Sequence, residues 1–157
     1  MKRLVLIICF SILSSAWTAL PAAIAPASSC PPLYAEEEII HLCNEARASY
    51  GISPLAFDWE AARVARHKTE DMMKNNYFGH DSPTFGNFFD MLKNFNILYK
   101  DAGENIAVGL SCPRAVVDAW MAQPGHRANI LSEAFTHAGV GYSTDSNNHY
   151  WVLILLA

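Results

Sequence analysis

The chain has 157 residues, which is enough for one domain around a single hydrophobic core and too few for two domains of typical size. It carries 11 basic and 15 acidic residues, for a net charge of −4 at pH 7. An acidic chain lacks the basic footprint that nucleic-acid phosphates require, and it gains little from docking on anionic membranes. The composition therefore argues against nucleic acid as a partner.

The first 27 residues predict a secretory signal peptide. Met1–Arg3 gives a basic start, and Leu4–Leu20 is uncharged and largely apolar. Small residues and prolines follow up to Ala27, as in the A-x-A-like region before a signal cleavage site. Cleavage after Ala27 is favoured over cleavage after Ala25, because Pro26 would follow the second cut. An uncleaved leader that serves as a membrane anchor is the alternative.

The mature chain after Ala27 would hold nine basic and fifteen acidic residues, a net charge of −6. It contains no further stretch long enough to span a bilayer. We therefore expect a secreted protein, extracellular or periplasmic.

Three of the four cysteines, Cys30, Cys43 and Cys112, would stay in the mature chain. An odd number in an oxidising compartment allows one disulfide and one free thiol, or an intermolecular bridge. The sequence does not specify which pair is bonded. No C-x-x-C spacing occurs, so a zinc ribbon or a thioredoxin-type site has no support.

Residues 28–35 predict a short, proline-broken linker, and residues 36–157 predict one folded domain. The first helix starts with three glutamates, which the helix dipole favours in a first turn, and Gly51 ends it. Asp58 is expected to cap a second helix that runs to about Lys74. The expected core face of this second helix comprises Trp59, Ala62, Val64, Ala65 and Met72 or Met73.

The middle of the chain predicts loops and short elements. An irregular loop spans residues 77–86, and a short helix follows from Phe88 to Leu92. Gly103 is expected to break the chain before a brief extended piece, Glu104–Val108. Pro113 predicts the first position of another helix, since its missing N–H does no harm there. The apolar stripe of that helix comprises Val116, Val117 and Trp120.

This helix is expected to end at Ala122, and Pro124-Gly125 then predicts a turn. His126 follows at once, so that backbone geometry would hold it. Residues 138–142 and 149–154 are aromatic and β-branched, and a turn-rich tetrapeptide separates them. That pattern predicts a β-hairpin. Helices followed by a hairpin favour a sheet packed between helices in one unit.

Two histidines and one glutamate lie on three separate turns or loops: His80, Glu104 and His126. Taken alone, His80 and Glu104 are typical of surface residues, and His126 of a histidine that bonds a backbone carbonyl. Together, neutral imidazoles and a carboxylate have the composition of a site for zinc or a similar divalent cation, with one position left for water. The long spacing makes this pattern much less specific than H-E-x-x-H on one helix. The metal site is therefore a hypothesis.

Eight short blocks follow one another from about Ile39 to the end of the chain. They are Asn44–Arg47, Gly51–Leu55, His67–Met72, Tyr77–His80, Gly103–Ala107, Trp120–Leu131, Gly139–Gly141 and Tyr150–Val152. With these blocks, in this order, the chain resembles a domain of the CAP superfamily, also called the SCP domain. That superfamily includes cysteine-rich secretory proteins, venom antigen 5 and plant pathogenesis-related proteins. The resemblance is closest to the shorter bacterial members.

The resemblance implies an α+β fold, namely a three-layer α-β-α sandwich with a central mixed or antiparallel sheet and a C-terminal β-hairpin. In the family, two histidines and acidic residues line a large cleft and can bind zinc or another divalent cation. The matching positions in this chain are His80, Glu104 and His126.

Some positions depart from the family's pattern or extend it. Many eukaryotic members carry a second glutamate five residues after the first histidine, where this chain has Phe85, although Asp81 could partly substitute. Arg127 follows the bacterial Gly-His-Arg form. We expect Asp81, Asn105 and Arg127 to line the cleft as well.

Three functions are compatible with the sequence. The favoured one is a cleft-bearing binding module, dependent on a divalent metal, without a general enzymatic role. The second is a metal-dependent hydrolase of the peptidase or esterase type with Glu104 as base, and the missing second acid weighs against it. The third is a lipid or sterol binder, against which stands ordinary core packing of the same aromatics: Phe85, Phe88, Phe89 and Phe95. The ligand could be a small molecule, a lipid or a peptide.

Overall fold

A computed structural model describes residues 32–157 of the chain, and side chains from Tyr34 onward. The predicted signal peptide and the first four residues of the predicted linker lie outside the described residues. Helix α1 spans Pro32–Ser49, so it begins within the expected linker, three residues before Ala35. The side chain of Ala35 is already buried, which explains why this turn belongs to the folded domain.

The end of α1 is a glycine-dependent cap. Gly51 has a φ of +71°, which a residue with a Cβ rarely adopts. The amides of Gly51 and Ile52 donate to the carbonyls of Ala48 and Arg47, each at 3.0 Å. This is the Schellman arrangement, and it confirms the predicted stop.

Helix α2 spans Trp59–Lys74, and the Asp58 side chain accepts a hydrogen bond from the amide of Ala61 at its start. Both predicted ends are confirmed. The expectation that Trp59 is in the core is wrong, because its side chain is 67% exposed and packs edge-on against Phe57 at the surface. The other side chains of the predicted face are buried or partly buried: Ala62, Val64, Ala65, Met72 and Met73.

Three further helices follow: α3, Phe88–Asn94; α4, Pro113–Ala122; and α5, Pro124–Ile130. The predicted turn at Pro124-Gly125 is wrong, because these residues begin α5. The bend lies one residue earlier, at Gln123, whose backbone is extended with φ −98° and ψ 126°. Proline suits the first helical position, since the amide it lacks would have no helical partner there.

Residues 32–157 form one sheet of four strands: β1, Ala56–Phe57; β2, Ala102–Val108; β3, His137–Thr144; and β4, His149–Leu156. Their order is β1-β3-β4-β2, in which only β1 and β3 run parallel. The predicted hairpin is β3 and β4. Gly103 does not break the chain as expected. It lies within β2 and pairs with Leu155, and a Cβ there would stand 3.1 Å from the Phe135 ring.

Alternate residues of β4 face two separate cores, which shows the three layers. Trp151, Leu153 and Leu155 belong to a cluster with side chains of α1, α4 and α5. Val152 and Ile154 belong to a cluster with side chains of α2 and α3. The mixed sheet between helices confirms the predicted α-β-α sandwich. No helix within residues 32–157 is both long and apolar enough to cross a membrane.

Candidate functional site

A cavity of about 510 Å³, hereafter the cleft, opens where β2, α4, the start of α5 and the loop after α2 meet. Two of the three predicted metal-site residues, His80 and His126, line it. Most of the remaining wall is apolar. The lining residues are Phe78, Gly79, His80, Ile106, Ala107, Val108, Leu110, Ala119, Trp120, Gln123 and His126.

His80 lies on the loop between α2 and α3, and Glu104 lies on β2. The imidazole Nδ1 of His80 is 2.5 Å from the Oε2 atom of Glu104. The Glu104 side chain is only 3% exposed, whereas that of His80 is 53% exposed. The hydrogen bond to Glu104 raises the pKa of His80, although partial burial opposes this effect. The carboxylate thereby fixes the ring and leaves Nε2 as the nitrogen that can bind a ligand.

His126 lies in the first turn of α5, and two asparagines dock that turn onto β2. Asn105 donates from Nδ2 to the backbone carbonyl of His126 at 3.1 Å. Asn129 donates to the Oδ1 atom of Asn105 at 2.9 Å and to the carbonyl of Glu104 at 3.3 Å. These bonds explain how His126 and Glu104, 22 positions apart in the chain, are kept in a fixed relation.

The Nδ1 atom of His126 is buried and has no hydrogen-bond partner among residues 32–157. Such atoms are rare, because leaving a buried polar group unpaired costs about 1–3 kcal/mol. Burial lowers the pKa of His126, and the nearby charge of His80 lowers it further. A neutral imidazole with an open nitrogen is the form that binds a metal ion or accepts a hydrogen bond from a ligand.

A divalent cation partly suits this arrangement. The imidazole of His126 and the Nε2 of His80 are suitable metal donors, and Glu104 supplies the carboxylate that commonly orients a metal-binding histidine. However, within the described part of the chain no three His, Cys, Asp or Glu side chains are grouped closely enough to hold a metal. The donors present are thus two imidazoles, with Glu104 engaged at His80.

The cleft lining includes none of Asp81, Asn105 and Arg127. Asp81 is exposed. Asn105 is fully buried and turns toward α5. Arg127 donates to the hydroxyl of Tyr50 and lies over that ring, 5.3 Å from its centroid. Arg127 follows His126 directly in α5, and successive residues of a helix point in different directions. This explains why His126 lines the cleft and Arg127 does not.

The apolar wall of the cleft was not predicted. Ile106 and Val108 follow Glu104 at alternate positions of β2, and alternate residues of a strand share a face. This alternate spacing could have indicated an apolar wall beside Glu104. Trp120 belongs to the predicted stripe of α4 and also lines the cleft. Its indole N–H is taken up by the carbonyl of Ile106, so the rest of the ring acts as apolar surface.

The aromatic residues considered for a lipid pocket are elsewhere. Phe88 is buried in the core under α2, and Phe85 and Phe95 pack against that core. Phe89 is exposed and borders a different surface depression near Tyr99. None of the four lines the cleft.

The two cysteines in the described residues, Cys43 and Cys112, form no disulfide with each other. Cys43 is buried in α1, and burial raises the pKa of its thiol to about 12. Cys112 is partly buried at the start of α4. Cys30 lies outside the described residues.

The sequence profile of the cysteine-rich secretory protein family, CAP, matches residues 40–155. The chain belongs to this family, which confirms the resemblance. It is 51% identical over 107 residues to the uncharacterized protein YkwD of Bacillus subtilis (strain 168), a match that covers 68% of this chain and 42% of YkwD.

Solved structures support the same assignment. An extracellular protein containing a SCP domain from Bacillus anthracis str. Ames is similar with a TM-score of 0.73 and 35% identity, over 80% of this chain and 41% of that protein. The chain thus spans about two fifths of the length of these relatives. The crystal structure of NaASP2 with Zn²⁺ shares the fold, with a TM-score of 0.57 and 18% identity, over 83% of this chain and 82% of NaASP2.

Proposed function

We propose that this chain is a secreted CAP-domain binding module whose cleft holds a ligand beside a divalent cation. The observation that carries the proposal is that His80 and His126, from two separate segments, line one cavity, while the buried Nδ1 of His126 has no hydrogen-bond partner among residues 32–157. A cavity of about 510 Å³ with mostly apolar walls and two imidazole side chains is suited to binding a ligand, since binding sites combine apolar contact with a few polar groups. Secretion is supported by the relative from Bacillus anthracis, which is described as an extracellular protein.

The metal, when bound, would act as a Lewis acid that draws a polar group of the ligand into the cleft. His80 and His126 would hold it, and Glu104 would orient the His80 ring. Zinc is the first ion to test, because imidazole nitrogens suit it and because the NaASP2 structure contains Zn²⁺. The apolar wall of Ile106 and Val108 would contact the non-polar part of the ligand.

A binding role is favoured over hydrolysis by the state of Glu104. A general base must reach the water that it activates. The Glu104 carboxylate is 3% exposed and already bonds His80, so orienting that ring is its better supported task. A hydrolase would instead show turnover of ester or peptide substrates by the zinc-loaded protein, with loss of turnover in Glu104→Gln.

Zinc titration by calorimetry tests the proposal on the purified protein. We expect one equivalent of Zn²⁺ to bind, and His80→Ala and His126→Ala each to weaken binding by at least about tenfold. His41→Ala is the matched control. His41 is an exposed histidine on α1 that pairs with Glu45 and does not line the cleft. No binding to the wild type, or equal binding to the double variant His80→Ala/His126→Ala, would refute the metal site.

A further inference from the structure

Lys68 of α2 reaches the loop that carries His80. Its side chain is 1% exposed, although lysine is among the residues least often buried. The Nζ atom donates to the backbone carbonyl of His80 at 2.6 Å. The same ammonium lies 5.2 Å from the centre of the Tyr77 ring, a cation–π contact at the start of the loop. Lys68 therefore holds the loop at two points.

Asp71 lies one helical turn after Lys68 and binds the same loop on both sides of His80. It is also buried, with 6% of its surface exposed. Its carboxylate accepts hydrogen bonds from the side chains of Asn75, Tyr77, Ser82 and Thr84. The hydroxyl of Ser82 also accepts from the amides of Thr84 and Phe85, which closes the loop on itself.

The His80 ring needs such anchors, because half of its side chain is exposed and packing alone does not fix it. Its position depends on the backbone of the loop and on the contact of Nδ1 with Glu104. A shift of the loop backbone would lengthen that 2.5 Å contact.

We propose that Lys68 and Asp71 are positioning residues that hold His80 against Glu104 and at the edge of the cleft. The functional importance of this His80 position rests on the proposed function. The contacts of Lys68 and Asp71 with the loop do not depend on a metal. Buried charges are weak evidence for stability, since well-packed apolar residues often serve a fold as well. The role of Lys68 and Asp71 in fixing the His80 loop accounts for two buried charges on α2.

The test is Lys68→Met, read by the ¹⁵N signals of the His80 ring in metal-free protein. In the wild type, we expect Nδ1 to carry the proton that Glu104 binds. In Lys68→Met, we expect the Nδ1 signal to move toward that of a free imidazole while the His126 ring signals stay in place. Zinc affinity should fall about 10- to 100-fold, as for other residues that orient metal ligands.

Two control variants separate positioning from general effects. Lys74→Met removes an exposed lysine of the same helix, which bonds only Glu70 among the described side chains, and should leave the His80 signals unchanged. Ile39→Val lowers stability through the core on the other side of the sheet and should leave them unchanged as well. A shift of the His80 signals in Ile39→Val would mean that any destabilisation moves the ring, and would overturn the proposal.

Unchanged His80 signals in Lys68→Met would also overturn it. If Lys68→Met does not fold, Asp71→Asn gives the same test, because asparagine keeps the shape but not the charge of the acceptor. If wild-type protein binds no zinc, the metal part of the proposed function fails, and the ring signals still decide whether Lys68 and Asp71 position His80.

Discussion

The pH behaviour of His80 follows from its contact with Glu104. The hydrogen bond to Glu104 raises the pKa of His80 above its ordinary value of 6.5. Because the folded pKa is raised, the pair contributes stability that is fully present below about pH 6.5. That stability is lost as pH rises through the folded pKa of His80. Since the His80 side chain is half exposed, solvent screens the pair, and its contribution to stability is modest.

Glu104→Gln tests this pair in metal-free protein. We expect the pKa of His80, measured by NMR titration of its ring, to fall toward the ordinary value, because the amide no longer favours the imidazolium. The stability lost by the variant should be greater at pH 5 than at pH 9. His67, an exposed histidine of α2, provides an internal control in the same spectra. Equal His80 pKa values in the two proteins would contradict the assigned contact.

The identity of the candidate residues was easier to predict than their chemical states. His80, Glu104 and His126 stand out by the resemblance to the CAP superfamily, but of the three expected turn or loop positions only that of His80 is a loop, since Glu104 lies on β2 and His126 in the first turn of α5. The contact of His80 Nδ1 with Glu104 and the burial of His126 Nδ1 could not be predicted, because they depend on how the loop, β2 and α5 meet. The same limit applies to Arg127, whose direction depends on the start of α5 at Pro124.

At the scale of elements, the buried guanidinium of Arg47 fixes the end of α5 that lies opposite His126. Its nitrogen atoms donate to four backbone carbonyls, those of Ser53, Ile130, Ser132 and Phe135, at 2.7–3.0 Å. One side chain thus joins the end of α1, the following loop, the end of α5 and the chain that leads into β3.

Arg47→Met should therefore be severely destabilising. We expect a loss of at least about 3 kcal/mol in the free energy of unfolding, since several carbonyls lose a charged donor. Arg114→Met is the control: Arg114 makes an exposed ion pair with Glu45, and its loss should cost much less than the loss of Arg47. Urea denaturation measures both changes. Similar losses in the two variants would show that the carbonyl contacts of Arg47 contribute little.

The sequence predicted elements well where a local signal exists. Asp58 and Gly51 mark helix ends through their own hydrogen bonds and backbone angles, and both predictions are confirmed. The predictions were wrong where a segment carries signals for two structures, or where packing against neighbouring elements determines burial. Pro124-Gly125 suits a turn or a helix start, and Trp59 has an apolar ring that the fold leaves at the surface.

At the scale of the whole molecule, the layers follow from the pattern of β4, whose alternate side chains are buried on both faces. A strand that is apolar on both faces requires helices on both faces, which is the α-β-α sandwich. Tight contact between two layers depends on glycine: a Cβ at Gly139 in β3 would stand 2.0 Å from the amide nitrogen of Ala62 in α2. The cleft could not be predicted in this way, because its wall comes from four separate segments.

We expect His80 and His126 to serve one site in the cleft. Diffraction data from crystals grown with zinc, measured at the zinc absorption edge, test this expectation. One strong anomalous peak should lie within bonding distance of ring nitrogens of both His80 and His126. A peak beside only one of these rings, or strong peaks elsewhere with none in the cleft, would contradict it.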